Sequence, residues 1–287
     1  MIGFRSLLAS AWMGIQHDLA WTNPGAALML QVIAPFASAI TTSIIYWFGA
    51  SNCTAPCAGF DSARLAFVLV GSTLYAHVAS YAWVPTIAIA EAKNLSVFPH
   101  IYLTSNSTAR YLAGRTFSAF AISATTSLAA LAAAYFVLGG FLHTSIVLAV
   151  TPVTALMLGV ALLANIPAAM GLGYFLGAYS LYASKFEWSL PGYVAGLLMV
   201  FSGALFATSV LPWPVSVGAS YIPFTLFIQA SRDALIYINA PGAFQDYLQS
   251  LGLCILGGLM LVGAGLVVYF AAEKRARRDG VLDRRMA

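Results

Sequence analysis

The chain is 287 residues long, 61% hydrophobic and only 8% charged, with a mean hydropathy of +0.86. Soluble domains carry about 25% charged residues, so a water-soluble globular fold is excluded, and the composition reads as an all-α membrane protein of one domain, residues 1–287. A formal net charge of +4 would raise nucleic acid as a partner in a soluble chain; here the positive residues count first as orientation signals.

Residues 1–22 read as an N-terminal amphipathic interfacial helix. At 100° per residue, Phe4, Leu8, Trp12, Ile15 and Leu19 share one side, and Arg5, Ser6, Ser10, Gln16 and His17 the other, with Asp18 at the apolar edge. A surface helix with a Trp anchor has this pattern, as does an ordinary membrane-proximal helix. The same stretch has no apolar core ending in a small-residue cleavage site, so no cleavable signal peptide is expected. After the break at Thr22–Gly25, a first span is expected near 26–49, closed by the belt residues Tyr46 and Trp47. The following loop holds Cys53 and Cys57 around Pro56. They form a candidate disulfide outside the cytoplasm or stay as two reduced thiols, and both readings are open. Asn52-Cys53-Thr54 also matches a glycosylation acceptor.

The second span is expected at 65–90, 26 uncharged residues between Arg64 and Glu91. It carries Ser72, Thr73, Tyr75, His77, Ser80, Tyr81, Trp83 and Thr86. Polar groups in a span face protein or a water-filled cavity. Either these residues bond neighbouring helices, or Tyr75, Tyr81 and Trp83 line a substrate path. The polar stretch from Glu91 to Arg115 contains a short amphipathic helix around Leu95, Val97, Phe98 and Ile101.

From 116 to 184 there are 69 uncharged residues. A third span is expected at 111–138, ending at a turn marked by Gly139, Gly140 and His143. Segment 145–184 is either one span kinked at Pro167 or two. Charge decides between them. With six spans, Arg5, Lys93, Arg110, Arg115, Lys185 and the tail residues Lys274, Arg275, Arg277, Arg278, Arg284 and Arg285 fall on one side, leaving Arg64 and Arg232 opposite. Seven spans scatter them. Positive residues concentrate in the cytoplasm, so six spans are expected, with both termini inside and the fifth and sixth near 189–210 and 250–272. The basic tail then needs no nucleic acid; it orients the chain and can meet anionic membrane lipid.

The 44 uncharged residues from 188 to 231 are too many for one crossing of about 20 residues. They are broken by Pro212, Pro214 and Pro223, each lacking a donor and disfavouring helix in the residue before it. Re-entrant helices at 211–238 are therefore expected between the fifth and sixth spans. Arg232 belongs at the outer interface, near Asp233 or a carbonyl, because an uncompensated Arg at the bilayer centre costs on the order of 3 kcal/mol.

Ser202-Gly203 in a span, Leu211-Pro212 after it, Ile222-Pro223-Phe224-Thr225, and Arg232 in a polar turn resemble, in order and spacing, the permease subunit of type-2 ATP-binding-cassette exporters across nearly the whole chain. The resemblance implies a dimer with a second permease, identical or not, and two separate ATPase subunits carrying ATP and Mg. It implies an interfacial helix packed beside the ATPase and a coupling helix holding Glu91, Lys93, Asn94, Leu95, Phe98 and His100. It also implies an outer gate at Leu211, Pro212, Pro223 and Arg232. The family's coupling loop continues from Glu into Gly-Thr-x-Glu, whereas this chain reads Glu91-Ala92-Lys93-Asn94-Leu95-Ser96. The implied cargo is amphipathic or apolar, drug or lipid-like, with glycan export as the alternative within the family.

No GxSxG, HExxH or GxxxxGK[ST] pattern occurs, so no hydrolase or nucleotide site is expected in the chain itself, nor a metal or cofactor. All nine acidic residues are placed in loops, the interfacial helix or the tail, which argues against a proton-coupled carrier. The rivals from other classes are an ion-driven carrier or channel, and a lipid-acting membrane enzyme using His77 or His143.

Overall fold

The computed structural model describes residues 2–20, 23–52, 59–104, 107–143, 145–183 and 189–280; Cys53, Cys57 and Lys185 lie outside them. All regular structure among these residues is helical. Five helices are long and apolar enough to cross a membrane: α2 (Pro24–Ser51), α3 (Ser62–Asn94), α5 (Thr108–Leu142), the pair α6 (Pro152–Ala164) and α7 (Ile166–Tyr182), and α11 (Ala243–Arg278). Shorter helices are α1 (Ile2–Leu19), α4 (Phe98–Thr104), α8 (Ser189–Phe201), α9 (Trp213–Ser220) and α10 (Pro223–Leu235).

Local chemistry sets the starts. The Asn23 side chain accepts from the Gly25 amide at 3.1 Å, with Pro24 in the first turn. Asp61 does the same for Ala63 at 2.9 Å. Thr151 and Thr154 form a reciprocal capping box ahead of α6. Each satisfies amides that a helix start leaves open. Asn165 alone separates α6 from α7, so Pro152–Tyr182 reads as one candidate span broken two residues before Pro167.

Three boundaries are corrected. The expected turn at Gly139-Gly140 is helical, and α5 runs on to Leu142, stopping where His143 takes a left-handed φ of 50°. Residues 145–150 are not helical, so α6 begins at Pro152. The helix expected at 189–210 ends at Phe201, leaving α8 with 13 residues, about 20 Å against a hydrocarbon core of about 30 Å. Gly203, with φ +66°, turns the chain there.

The core centres on α3, which packs against α2, α5, α7, α8 and α10. Tyr81, Phe120, Phe224 and Phe227 meet in it. In α10, eleven of thirteen residues are buried. Alongside, α7 and α11 approach at a seam of small residues: a Cβ on Gly171 would lie 2.6 Å from the Leu261 carbonyl carbon, and one on Gly265 2.7 Å from the Gly171 oxygen. Small residues at such crossings let apolar helices pack by close contact where lipid supplies no hydrophobic drive.

A charged platform and an arginine-pinned hairpin

The ends of α1, α3, α5, α7 and α11 converge at one end of the bundle. Glu91, near the end of α3, pairs with His17 of α1 at 3.2 Å. Arg115 in the second turn of α5 is buried and pairs with Asp18 of α1 at 3.8 Å. Burial pushes the Asp18 carboxyl above its ordinary range, although Arg115 and His17 pull it down; desolvation outweighs a pair this long. Lys93 is also buried, and its ammonium donates to the carbonyls of Ser180, at 3.2 Å, and Leu181. These carbonyls end α7, where a helix leaves acceptors open and its dipole favours a cation. Glu273 of α11 is 4% exposed and accepts from Thr108 and Arg277, each at 2.8 Å.

After Asn94 the chain reverses through Leu95 and Ser96, the latter at φ +56°, into α4. Phe98 is buried beside Ile89 and Leu112, whereas Asn94, Leu95, Val97 and His100 face outward. The expected coupling residues therefore divide. Asn94, Leu95 and His100 form a surface, Glu91 braces α1, and Lys93 and Phe98 are turned inward, so neither presents its side chain to a partner docked there.

The substrate-path candidates also divide. The Tyr75 hydroxyl donates to the Ala195 carbonyl of α8 at 2.8 Å, and Trp83, on the same helix, is partly exposed. Tyr81 is fully buried in the core, its hydroxyl against His77 Nε2. His77 Nδ1 lies 2.8 Å from Ser123 Oγ. A separate pocket of about 390 Å³ opens between α2, α3 and α5, where Gln31, Ser80, Thr126 and Ser127 supply polar atoms.

At the opposite end, the Arg232 guanidinium is buried. It donates to the carbonyls of Gly203 at 2.8 Å, Ala204 at 2.7 Å and Phe67 at 3.2 Å, and lies 3.4 Å from the centroid of the Phe67 ring. The Gly203 and Ala204 carbonyls are open because α8 stops at Phe201 and the chain turns, whereas the Phe67 carbonyl belongs to α3. Burial pulls the arginine down to about 9, so it stays charged at neutral pH. Asp233 accepts from Gln229 at 2.9 Å through one oxygen, and the other is buried with no partner among the described residues. Burial raises its carboxyl to about 6. Pro223 packs against Gly257 of α11; Leu211 is half-buried, and Pro212 is exposed at the foot of α9.

The placement of acidic residues outside the helical bundle is corrected. Glu273 and Asp233 lie buried within α11 and α10. The i, i+4 spacing of Glu273 and Arg277 is a signal that could have found the first; no comparable signal marks Asp233. Among the described residues no group of His, Cys, Asp and Glu could hold a metal. No protein-family model and no curated protein matches the chain.

Proposed function

We propose that this chain is the membrane subunit of an ATP-driven exporter, similar to the permeases of type-2 ATP-binding-cassette systems, moving an amphipathic or apolar drug or lipid-like cargo out of the cell. Two separate ATPase subunits carry the ATP and Mg, and a second permease copy completes the path. In this reading α8 is the fifth of six crossings, with α9 and α10 as re-entrant helices after it. The platform faces the cytoplasm with both termini, and α1 lies at the inner face of the plasma membrane with Leu8, Trp12 and Met13 toward lipid.

The observation that carries the reading is the rigid joint at the platform. A surface of Asn94, Leu95 and His100 is fixed to the bundle by buried Phe98 and to α7 by Lys93, and Glu91 meets α1 through a half-exposed contact with His17. A displacement applied there moves three helices together, which is what a subunit driven from outside requires. The push must come from a partner whose nucleotide states favour different conformations by a real free-energy difference. The polar pocket between α2, α3 and α5 offers a route beside the dimer partner.

The test is purification of the tagged chain from its native host. An ATPase with nucleotide-binding motifs is expected to accompany it, and Leu95→Asp is expected to release that subunit while leaving the permease monodisperse. Phe98→Ala is unsuitable, because emptying a buried Phe site costs about 3–5 kcal/mol and removes the fold with the contact. Solute transport by the chain alone in proteoliposomes would overturn the reading.

A further inference from the structure

A pocket of about 460 Å³ opens on the charged end between α1, α5, α7 and α11, walled by Leu7, Tyr174, Leu266 and Phe270 and rimmed by Arg110 and Arg277. Glu273 also lines it, but its Oε1 already accepts from Thr108 and Arg277. Arg110 differs. Its side chain is half-buried and its Nη1 is shut off from solvent with no hydrogen-bond partner among the described residues, which leaves this donor open to an acceptor entering the pocket.

The depth of the pocket identifies the acceptor. The 36-residue α11 is about 54 Å long, more than the 40–45 Å of a bilayer with its headgroups. Its basic last turns therefore reach the headgroup layer, while Leu266, about 16 Å further in, lies among acyl chains. An apolar wall leading up to two guanidinium groups matches an acyl chain below a phosphate.

We infer that this pocket is a binding site for one anionic phospholipid, its phosphate held by Arg110 and Arg277 and an acyl chain laid along Tyr174, Leu266 and Phe270. The lipid ties the start of α5 to the end of α11 beside the Thr108–Glu273 bond. The site does not depend on the exporter reading.

The experiment is native mass spectrometry of the whole chain in detergent, titrated with phosphatidylglycerol, phosphatidylcholine or inorganic phosphate. Wild type is expected to retain one phosphatidylglycerol. Arg110→Gln should weaken retention roughly fivefold, as one Arg near an anionic headgroup implies, while Arg278→Gln, the same charge change outside the pocket, leaves it unaltered. Leu266→Trp fills the wall without touching charge and should also displace the lipid, which keeps the test decisive if Arg110→Gln fails to fold. Equal weakening by Arg110→Gln and Arg278→Gln, equal retention of phosphatidylcholine, or inorganic phosphate binding as tightly as the lipid would each overturn the assignment.

Discussion

At the platform, Asp18 and Glu273 each pair with an arginine from a neighbouring helix or turn and Glu91 with the His17 imidazole, whereas at the far end Arg232 has no ion-pair partner among the described residues and is held by three carbonyls and an aromatic face. The difference follows from what each end offers. Where long helices finish beside one another in a polar layer, side chains of both signs are at hand and pairs form cheaply. Where a helix stops early inside an apolar bundle, the open groups are main-chain oxygens, and an arginine with a fork of donors satisfies several at once. The first arrangement divides its stability among many weak links; the second concentrates it in one residue.

That contrast can be broken most sharply at Arg232. Arg232→Ala is expected to remove about 3 kcal/mol or more of stability, because buried carbonyls lose charged donors together with the contact to Phe67; chemical unfolding in detergent measures it. Gly71→Ala should approach the same loss, since its Cβ would lie 1.9 Å from the Ala204 oxygen and 2.2 Å from Arg232 Nη2. The double variant should cost clearly less than the sum of the two. At the platform, Glu273→Ala is expected to cost about 1–3 kcal/mol by stranding the buried Thr108 hydroxyl, with Glu273→Gln milder because its oxygen still accepts.

A pH scan sharpens the comparison. The Asp233 carboxyl is raised from 3.8 to about 6 in the folded state, so the folded protein holds that proton more tightly than the unfolded chain. Its stabilising contribution is therefore full below 3.8 and is lost as pH rises through about 6. Asp233→Asn should flatten this decline, with a melting temperature above wild type by roughly 2–4 °C at pH 8. The smallest effect belongs to His17→Ala, whose half-exposed pair with Glu91 should contribute about 0.5 kcal/mol or less, so thermal unfolding should hardly register it.

Much of this architecture can be read in the residues because uncharged runs bounded by Arg, Glu and Lys leave few ways to cross a bilayer. The five long helices cover five of the six expected spans, and the one expected at 189–210 is a 13-residue helix; the choice of one broken crossing over two for 145–184 rests on charge placement that any reader can count. The boundaries that shifted have local causes. Apolar composition continues past Phe201, so hydropathy cannot see that Gly203 turns the chain and that Arg232 takes the carbonyls. The inner face of α1 is equally hidden: periodicity marks Leu8 and Trp12, but the side packed on α5 is Ser10, Ala11 and Gly14, chosen for size rather than polarity. Lys93 reads as a solvated loop cation, and only the end of α7, nearly ninety residues later, explains its burial. Among the coupling candidates, sequence identifies the segment while packing decides which side chains face out.

The glycine seam between α7 and α11 has a mechanical corollary. With one backbone seated against another, these two helices cannot slip past each other by part of a residue, so they behave as a single rib. The one-residue break at Asn165 marks where that rib ends on the α7 side: α6 lies beyond it and packs against α10.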